Sequence, residues 1–459
     1  MTIERHISQY DNPQEFTRLC NAVFSAKYGD DYQVIDGSRE DGGNDGLVTS
    51  EKRILAMYCP MKPEQRTDAS YLRKIRGDLA KAASLRDSGK YEVENWTFIT
   101  PRKMGNDVVC TMLAEARAVG IVAVHKDAGF LALEIQQRPY ILRGFPDLAL
   151  FDAGAFVKEK YEQAIQSGKI APEADVANDG YVVLREGDPT AFDTKVVDIR
   201  HNVELDPKMA KHQLRAILYE ASDKLTQLNA IFGIADLYLP NVDDVNELLS
   251  TCEIGLEIAK GIQSKDAEAI LRSIIGYWTS FQFGMQEMSY LANVMADDAI
   301  GMNLFTTTER QTCIEEMQVT SAKFQREFST AAALAKEAGN PHVYVEVILR
   351  FANAAGQRAI YLLQFDPERG RLQQDLCKRM LLGIKDFSLS VGFELSAANA
   401  LFNLANHLRF FGEEVESGML LPGIRNVAER FGDRRLMLKV EELGDRLKTG
   451  EIPDYLNAN

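Results

Sequence analysis

A glycine-rich acidic turn, Gly42-Gly43-Asn44-Asp45-Gly46, holds the residues best suited to chemistry in this chain of 459 residues. It leads through a short loop into an apolar run from Ile54 to Cys59. Charge bounds that run on one side and Pro60 on the other, so it reads as a buried strand. Gly42, Gly43 and Gly46 allow backbone dihedrals that other residues resist, and would fix Asp45 beside the strand. A carboxylate held at a strand edge is one way to bind a divalent cation. The same pattern also reads as an Asp/Gly-rich hairpin with no chemistry. Lys74 and Asp78, four apart, share one face of the helix that follows. Beside the strand edge they would supply an ammonium and a second carboxylate; on the outer face they are a solvated ion pair.

The elements that would position these groups follow in order. Asn12-Pro13 followed by Glu15 reads as a helix start. Phe16, Leu19, Cys20, Val23 and Phe24 then fall on one face before Gly29 ends the helix. Strands are expected at 32–35, 54–59, 96–100 and 121–124, and helices at 71–86 and 106–119. Residues 130–136 read as helical or irregular, and 138–150 closes the domain. The expectation is an α/β sandwich around a small mixed sheet over residues 1–150. A connector covers 151–203, with a helix continuing over 161–166 and one short strand at 181–184.

From 204 to 459 nearly every segment carries a helical pattern. The approximate helices are 208–232, 242–260, 265–281, 287–296, 308–338, 343–361, 370–385, 391–411, 423–431 and 435–448. Gly233, Pro240, Gly261, Gly301, Gly339-Asn340-Pro341, Pro367 and Pro422 mark the breaks. Antiparallel helices with short turns over such a length suggest a stacked array. The stretch AAALAKEAG ending at Gly339 and the stretch NVAERFG ending at Gly432 each precede a turn and another helix. This layout resembles a degenerate tetratricopeptide-type repeat, without a sustained consensus. A generic helical domain fits the pattern nearly as well.

Lys+Arg number 52 and Asp+Glu 67, for a formal net charge of −15. That argues against a constitutive nucleic-acid coat, which gains affinity by neutralising phosphates. It leaves room for a nuclease whose positive charge is local. No stretch is apolar for long enough to span a bilayer, and the N-terminus has no signal-peptide pattern. The expectation is a cytoplasmic protein with no membrane partner. Cys20, Cys59, Cys110, Cys252, Cys313 and Cys377 are too scattered for a metal knuckle and read as free thiols. The histidines show no HExxH spacing, and no phosphate-binding G-x-x-x-x-G-K-[ST] loop occurs.

A helix, a strand, G-G-x-D-G, a loop, an apolar strand, a helix and a strand together resemble the PD-(D/E)xK restriction-endonuclease-like superfamily, and most of all its Mrr-like branch. The resemblance covers about residues 12–150. It implies that Asp45 is the metal-binding aspartate, that Glu15 is an additional ligand, and that Mg²⁺ or Mn²⁺ is the cofactor. The family pattern also places Glu or Gln, one spacer, then Lys on the second strand. Here Ala56 and Tyr58 stand at those positions. A methyl group cannot ligate a metal, and a phenol, with a pKa of about 10, is a poor substitute for an ammonium. In families of this kind the lysine can migrate to a neighbouring element. Lys62 and Lys74 are therefore the candidate catalytic lysines, and Glu51 and Asp78 the candidate second carboxylates.

The activity so implied is metal-dependent hydrolysis of a phosphodiester, with the cation polarising the phosphate and a lysine orienting the attacking water. The expected whole is a restriction-endonuclease-like α/β domain joined to a larger all-α domain. It would act on nucleic acid, DNA in the first instance, as an effector in bacterial anti-phage defence. The helical part would restrain or recruit it through self-assembly or a protein partner. The alternative is a non-catalytic adaptor that keeps a degenerate nuclease fold as a binding module.

Overall fold

The structure is a computed structural model, and describes residues 3–10, 12–35, 45–60, 63–167, 195–196, 199, 206–237, 245–300 and 305–449. The chain divides into two units, Met1–Asp152 and Ala153–Asn459.

The first unit is a mixed five-stranded sheet with helices on both faces. Its strands are β1 (Tyr32–Val34), β2 (Gly46–Val48), β3 (Arg53–Met57), β4 (Asn95–Ile99) and β5 (Val122–Lys126), and they lie in sequence order. β1, β2 and β3 form an antiparallel meander, whereas β3, β4 and β5 run parallel. Parallel neighbours need a crossover. Helix α3 (Asp68–Asp87) supplies the first and α4 (Asn106–Ala118) the second. Three further helices belong here: α1 (Ile3–Ile7), α2 (Pro13–Tyr28) and α5 (Ala128–Gln137). A sixth, α6 (Pro146–Gln166), follows them.

The period-2 alternation of β3 sorts its side chains between two cores. Leu55 and Met57, with Cys59 just beyond the strand, pack with α1, α2 and α5. Ile54 and Ala56 pack with α3 and α4, and Tyr58 lies against the same core. Helix α2 starts as its sequence requires: the Asn12 side chain accepts from the Glu15 N–H at 2.8 Å, with proline in the first turn. Its inward face is Phe16, Leu19, Cys20, Val23 and Phe24.

The second unit is all-α among its described residues. Its elements are α7 (Pro207–Glu220), α8 (Lys224–Asp236), α9 (Val245–Gly261), α10 (Lys265–Ile300), α11 (Thr307–Ala338), α12 (Pro341–Phe365), α13 (Pro367–Val391), α14 (Glu394–Phe410), α15 (Glu414–Phe431) and α16 (Arg434–Thr449). Three of its turns share one device. Gly339, Gly392 and Gly432 each take a left-handed conformation, with φ of 71°, 86° and 70°, and the next helix begins two residues later. Glycine meets that conformation without a Cβ clash.

Several boundaries differ from the sequence pattern. The meander contains a third strand, β2, where a loop is expected. The helix expected at 208–232 is two helices, because Asp223 caps a new start by accepting from Thr226 N–H at 2.8 Å. The pair expected at 265–281 and 287–296 is a single helix of 36 residues. Gly284 lies within it as a packing residue: a Cβ there would stand 3.0 Å from the Tyr361 ring. Pro422 lies inside α15 rather than before it. Proline removes one donor there, while Ile424 and Ala428 remain buried on the helix's packed face. Residues 146–166 form one helix where a domain end and a weak pattern are expected. The strand expected at 181–184 lies outside the described residues.

Candidate functional site

Asp45 stands immediately before β2. Its backbone is held from both sides: its N–H donates to Leu55 O at 2.9 Å, and its carbonyl accepts from Ile35 N–H at 3.2 Å. Its carboxylate turns to the third strand, where Oδ2 accepts the Met57 N–H at 2.6 Å. A carboxylate acceptor makes this a charge-assisted bond. The negative charge is felt on the α2 side of the sheet. Burial first, then Asp45, pushes the Cys20 thiol well above its ordinary range. The Tyr32 phenol is raised as well, by burial, then by Cys20 and Asp45.

Gly46 serves this arrangement by its lack of a side chain. A Cβ there would lie 2.6 Å from the Tyr32 ring, so the ring occupies the space. Tyr32 in turn donates from its hydroxyl to Asn21 Oδ1 at 2.6 Å. Gly42, Gly43 and Lys62 lie outside the described residues.

Ala56 and Tyr58 both stand among apolar neighbours on the α3 side of the sheet. Ala56 is fully buried among the α3-side residues. The Tyr58 ring stacks on Phe98 at 6.1 Å and meets Tyr71 edge-on at 5.7 Å. Burial raises its phenol, against the lowering effect of Lys74. An aromatic in that cluster completes an apolar layer.

Lys74 and Asp78 do share a face of α3, as their spacing requires: Lys74 Nζ is 3.0 Å from Asp78 Oδ1. The pair is asymmetric. The Asp78 side chain is 3% exposed and that of Lys74 35%. Burial raises the Asp78 carboxyl pKa, and Lys74 opposes that rise. Lys74 Nζ also lies 6.0 Å from the centre of the Tyr58 ring. This group therefore lies on the α3 side of the sheet, beside Tyr58.

Glu51 belongs to yet another place. It lies in the turn before β3, with Oε2 at 2.6 Å from Arg53 Nε. It also accepts from Tyr28, whose phenol is pushed up to about 12 by burial and then by this carboxylate. Arg53 and Met57 are the two ends of β3. At a rise of about 3.3 Å per residue, Glu51 and the Met57 bond of Asp45 are thus separated by about 13 Å of strand. Glu15 is half-buried in the first turn of α2, about 7.5 Å along the helix axis from Cys20.

A divalent cation needs several oxygen ligands converging on one point. Among the described residues no group of three or more His, Cys, Asp or Glu side chains could hold a metal ion. The described residues therefore supply no such all-protein cage for the implied Mg²⁺ or Mn²⁺.

The strand ends beside this region carry residues that the motif does not flag. His125 Nε2 lies 2.8 Å from Thr100 Oγ1, and that hydroxyl donates to Arg102 O at 2.6 Å. The hydroxyl proton being so used, His125 is the donor to Thr100. Burial lowers its pKa, which favours that neutral form. Nearby lies a cleft of about 430 Å³, lined by Arg102, Lys103, Glu4 and Asp127 among others. Arg102-Lys103 directly after Pro101 is the sequence signal that could have marked it.

No helix among the described residues is long and apolar enough to cross a membrane. Compared with known proteins, the chain matches no family model and no curated protein.

Proposed function

We propose that the first unit is a nuclease-like fold kept as a binding module, and that the all-α unit engages a protein partner or a second copy of the chain. One observation carries this reading. The two positions, in β3 and just beyond it, where nucleases of that kind place an acid or amide and a lysine are filled by Ala56 and Tyr58, both set in the apolar layer over α3. The carboxylate of Asp45 then has a structural task, closing the free N–H of Met57 at the end of the meander.

A second reading has its own support. Asp45 is held by hydrogen bonds of its backbone and its carboxylate at the position of the metal-binding aspartate, which favours a metal-dependent endonuclease acting on DNA, of the kind used in anti-phage defence. One assay separates the two. Purified protein is incubated with plasmid and with structured RNA, with and without Mg²⁺ or Mn²⁺, beside Asp45→Ala. The binding-module reading expects no metal-dependent cleavage from either protein. Cleavage that requires metal and disappears in the variant overturns it in favour of the nuclease.

A further inference from the structure

A chamber of about 230 Å³ lies among helices α8, α12, α14 and α16. Drug-sized pockets hold several hundred cubic ångströms, so its occupant must be small. Ser396 on α14 lines it, is 2% exposed, and its Oγ has no hydrogen-bond partner. A buried hydroxyl left in that state is costly and is normally satisfied.

Two asparagines on the same helix continue the wall. Asn399 Nδ2 donates to Leu395 O at 3.2 Å, and Asn403 Nδ2 donates to Asn399 O at 2.9 Å. These bonds fix both amides and leave each Oδ1 an open acceptor, one helical turn apart.

Charge of both signs completes the lining. Arg435, near the start of α16, is half-buried and has no ion pair or hydrogen bond of its side chain among the described residues. Glu346 and Asp236 supply carboxylates, with Arg350 between them at 2.8 Å and 3.8 Å. Asp433 is already used, accepting the Leu436 N–H at 2.9 Å.

We propose that this chamber binds a free α-amino acid in its zwitterionic form. The α-carboxylate pairs with the guanidinium of Arg435, whose planar fork suits two oxygens, and accepts from the Ser396 hydroxyl. The α-ammonium, three donors and no acceptor, donates to Oδ1 of Asn399 and Asn403, in the field of Glu346 and Asp236. This inference stands independently of what the first unit does.

Calorimetric titration of the full chain with each of the twenty proteinogenic L-amino acids tests it. At least one amino acid is expected to bind saturably at one site. Its affinity should fall tenfold or more in Arg435→Gln and measurably in Ser396→Ala, with unchanged circular dichroism. Its carboxamide and its N-acetyl derivative, each lacking one charge, should also bind at least tenfold more weakly. Should Arg435→Gln fail to fold, Ser396→Ala and the two derivatives still decide the matter. Absence of binding by all twenty overturns the proposal, as does binding indifferent to the variants and derivatives. A tripeptide ending in the same residue and binding as tightly as the free amino acid overturns it in favour of a chain terminus.

Discussion

Asp45 illustrates how one side chain can satisfy two descriptions. Its type and its glycine-rich setting point to a metal ligand, while its carboxylate accepts the Met57 N–H at 2.6 Å. Removing an ionised acceptor of this kind costs about 1.5–3 kcal/mol. Asp45→Ala should therefore lower the urea unfolding free energy by about that amount, and Asp45→Asn by less. The cysteines give a second prediction. Cys20, Cys59, Cys252 and Cys377 are buried and Cys110 is exposed, so a thiol reagent on the native protein should modify Cys110 before those four. His407 gives a third. It is buried, its Nε2 lies 3.1 Å from Asn353 Oδ1, and burial lowers its pKa to about 4. A folded pKa below the ordinary 6.5 means the unfolded chain takes up the proton first. Stability should then fall as pH drops from 6.5 toward 4, by at most about 1.4 kcal/mol per pH unit. His407→Gln should flatten that slope in unfolding curves taken across the range. At this scale the helix spacing of Lys74 and Asp78 was legible in the sequence, and the two pair at 3.0 Å. It could not show that the pair lies beside the Tyr58 ring, on the α3 side of the sheet. That depends on the pleat of β3, which sends Met57 and Tyr58 to different cores.

Among the elements, long periodic segments were the most legible. Helix α2, with its Asn12 cap and apolar face, could be read directly, because capping chemistry and a 3.6-residue period act locally. Strand β2 escaped notice for equally local reasons. It has three residues, too few for an alternation to register, and the left-handed position of its turn is filled by Lys52, φ 46°, where glycine would have marked it. The turn is held by Asp31, which accepts from the Ser50 N–H at 2.8 Å, a partner well upstream. Helix–helix contacts were hidden in the same way. Glu287 on α10 accepts from Arg358 at 3.0 Å and Tyr361 at 2.8 Å on α12, and also pairs with Arg369 on α13. Its carboxyl is buried, yet the neighbouring guanidinium groups outweigh burial and hold its pKa below the ordinary value. Replacing one member of such a set leaves the others buried without their counter-charge. Glu287→Ala should cost about 3–5 kcal/mol, measured by denaturant unfolding.

The two-part architecture, mixed α/β first and all-α after, follows from the change in periodicity along the chain and is what the structure has. The net charge of −15 belongs to the same scale. It repels polyphosphate, and affinity for duplex DNA falls steeply with salt. Weak DNA retention in a mobility-shift assay at low salt, lost at physiological salt, is the expected result. Helices α10 and α11, of 36 and 32 residues, pair as a long hairpin whose far end is tied by Asp297, bonded to Arg310 at 2.7 Å and to the Phe305 N–H. At 1.5 Å per residue the longer arm reaches about 54 Å. The buried apolar residues of α11 all fall in its second half, from Phe324 onward. Amide exchange should accordingly run faster toward the tip than at the base. Such an arm is modular in length. Matched seven-residue blocks could be spliced out of both limbs, or added to them, preserving the seam between them and leaving the foot of the hairpin undisturbed.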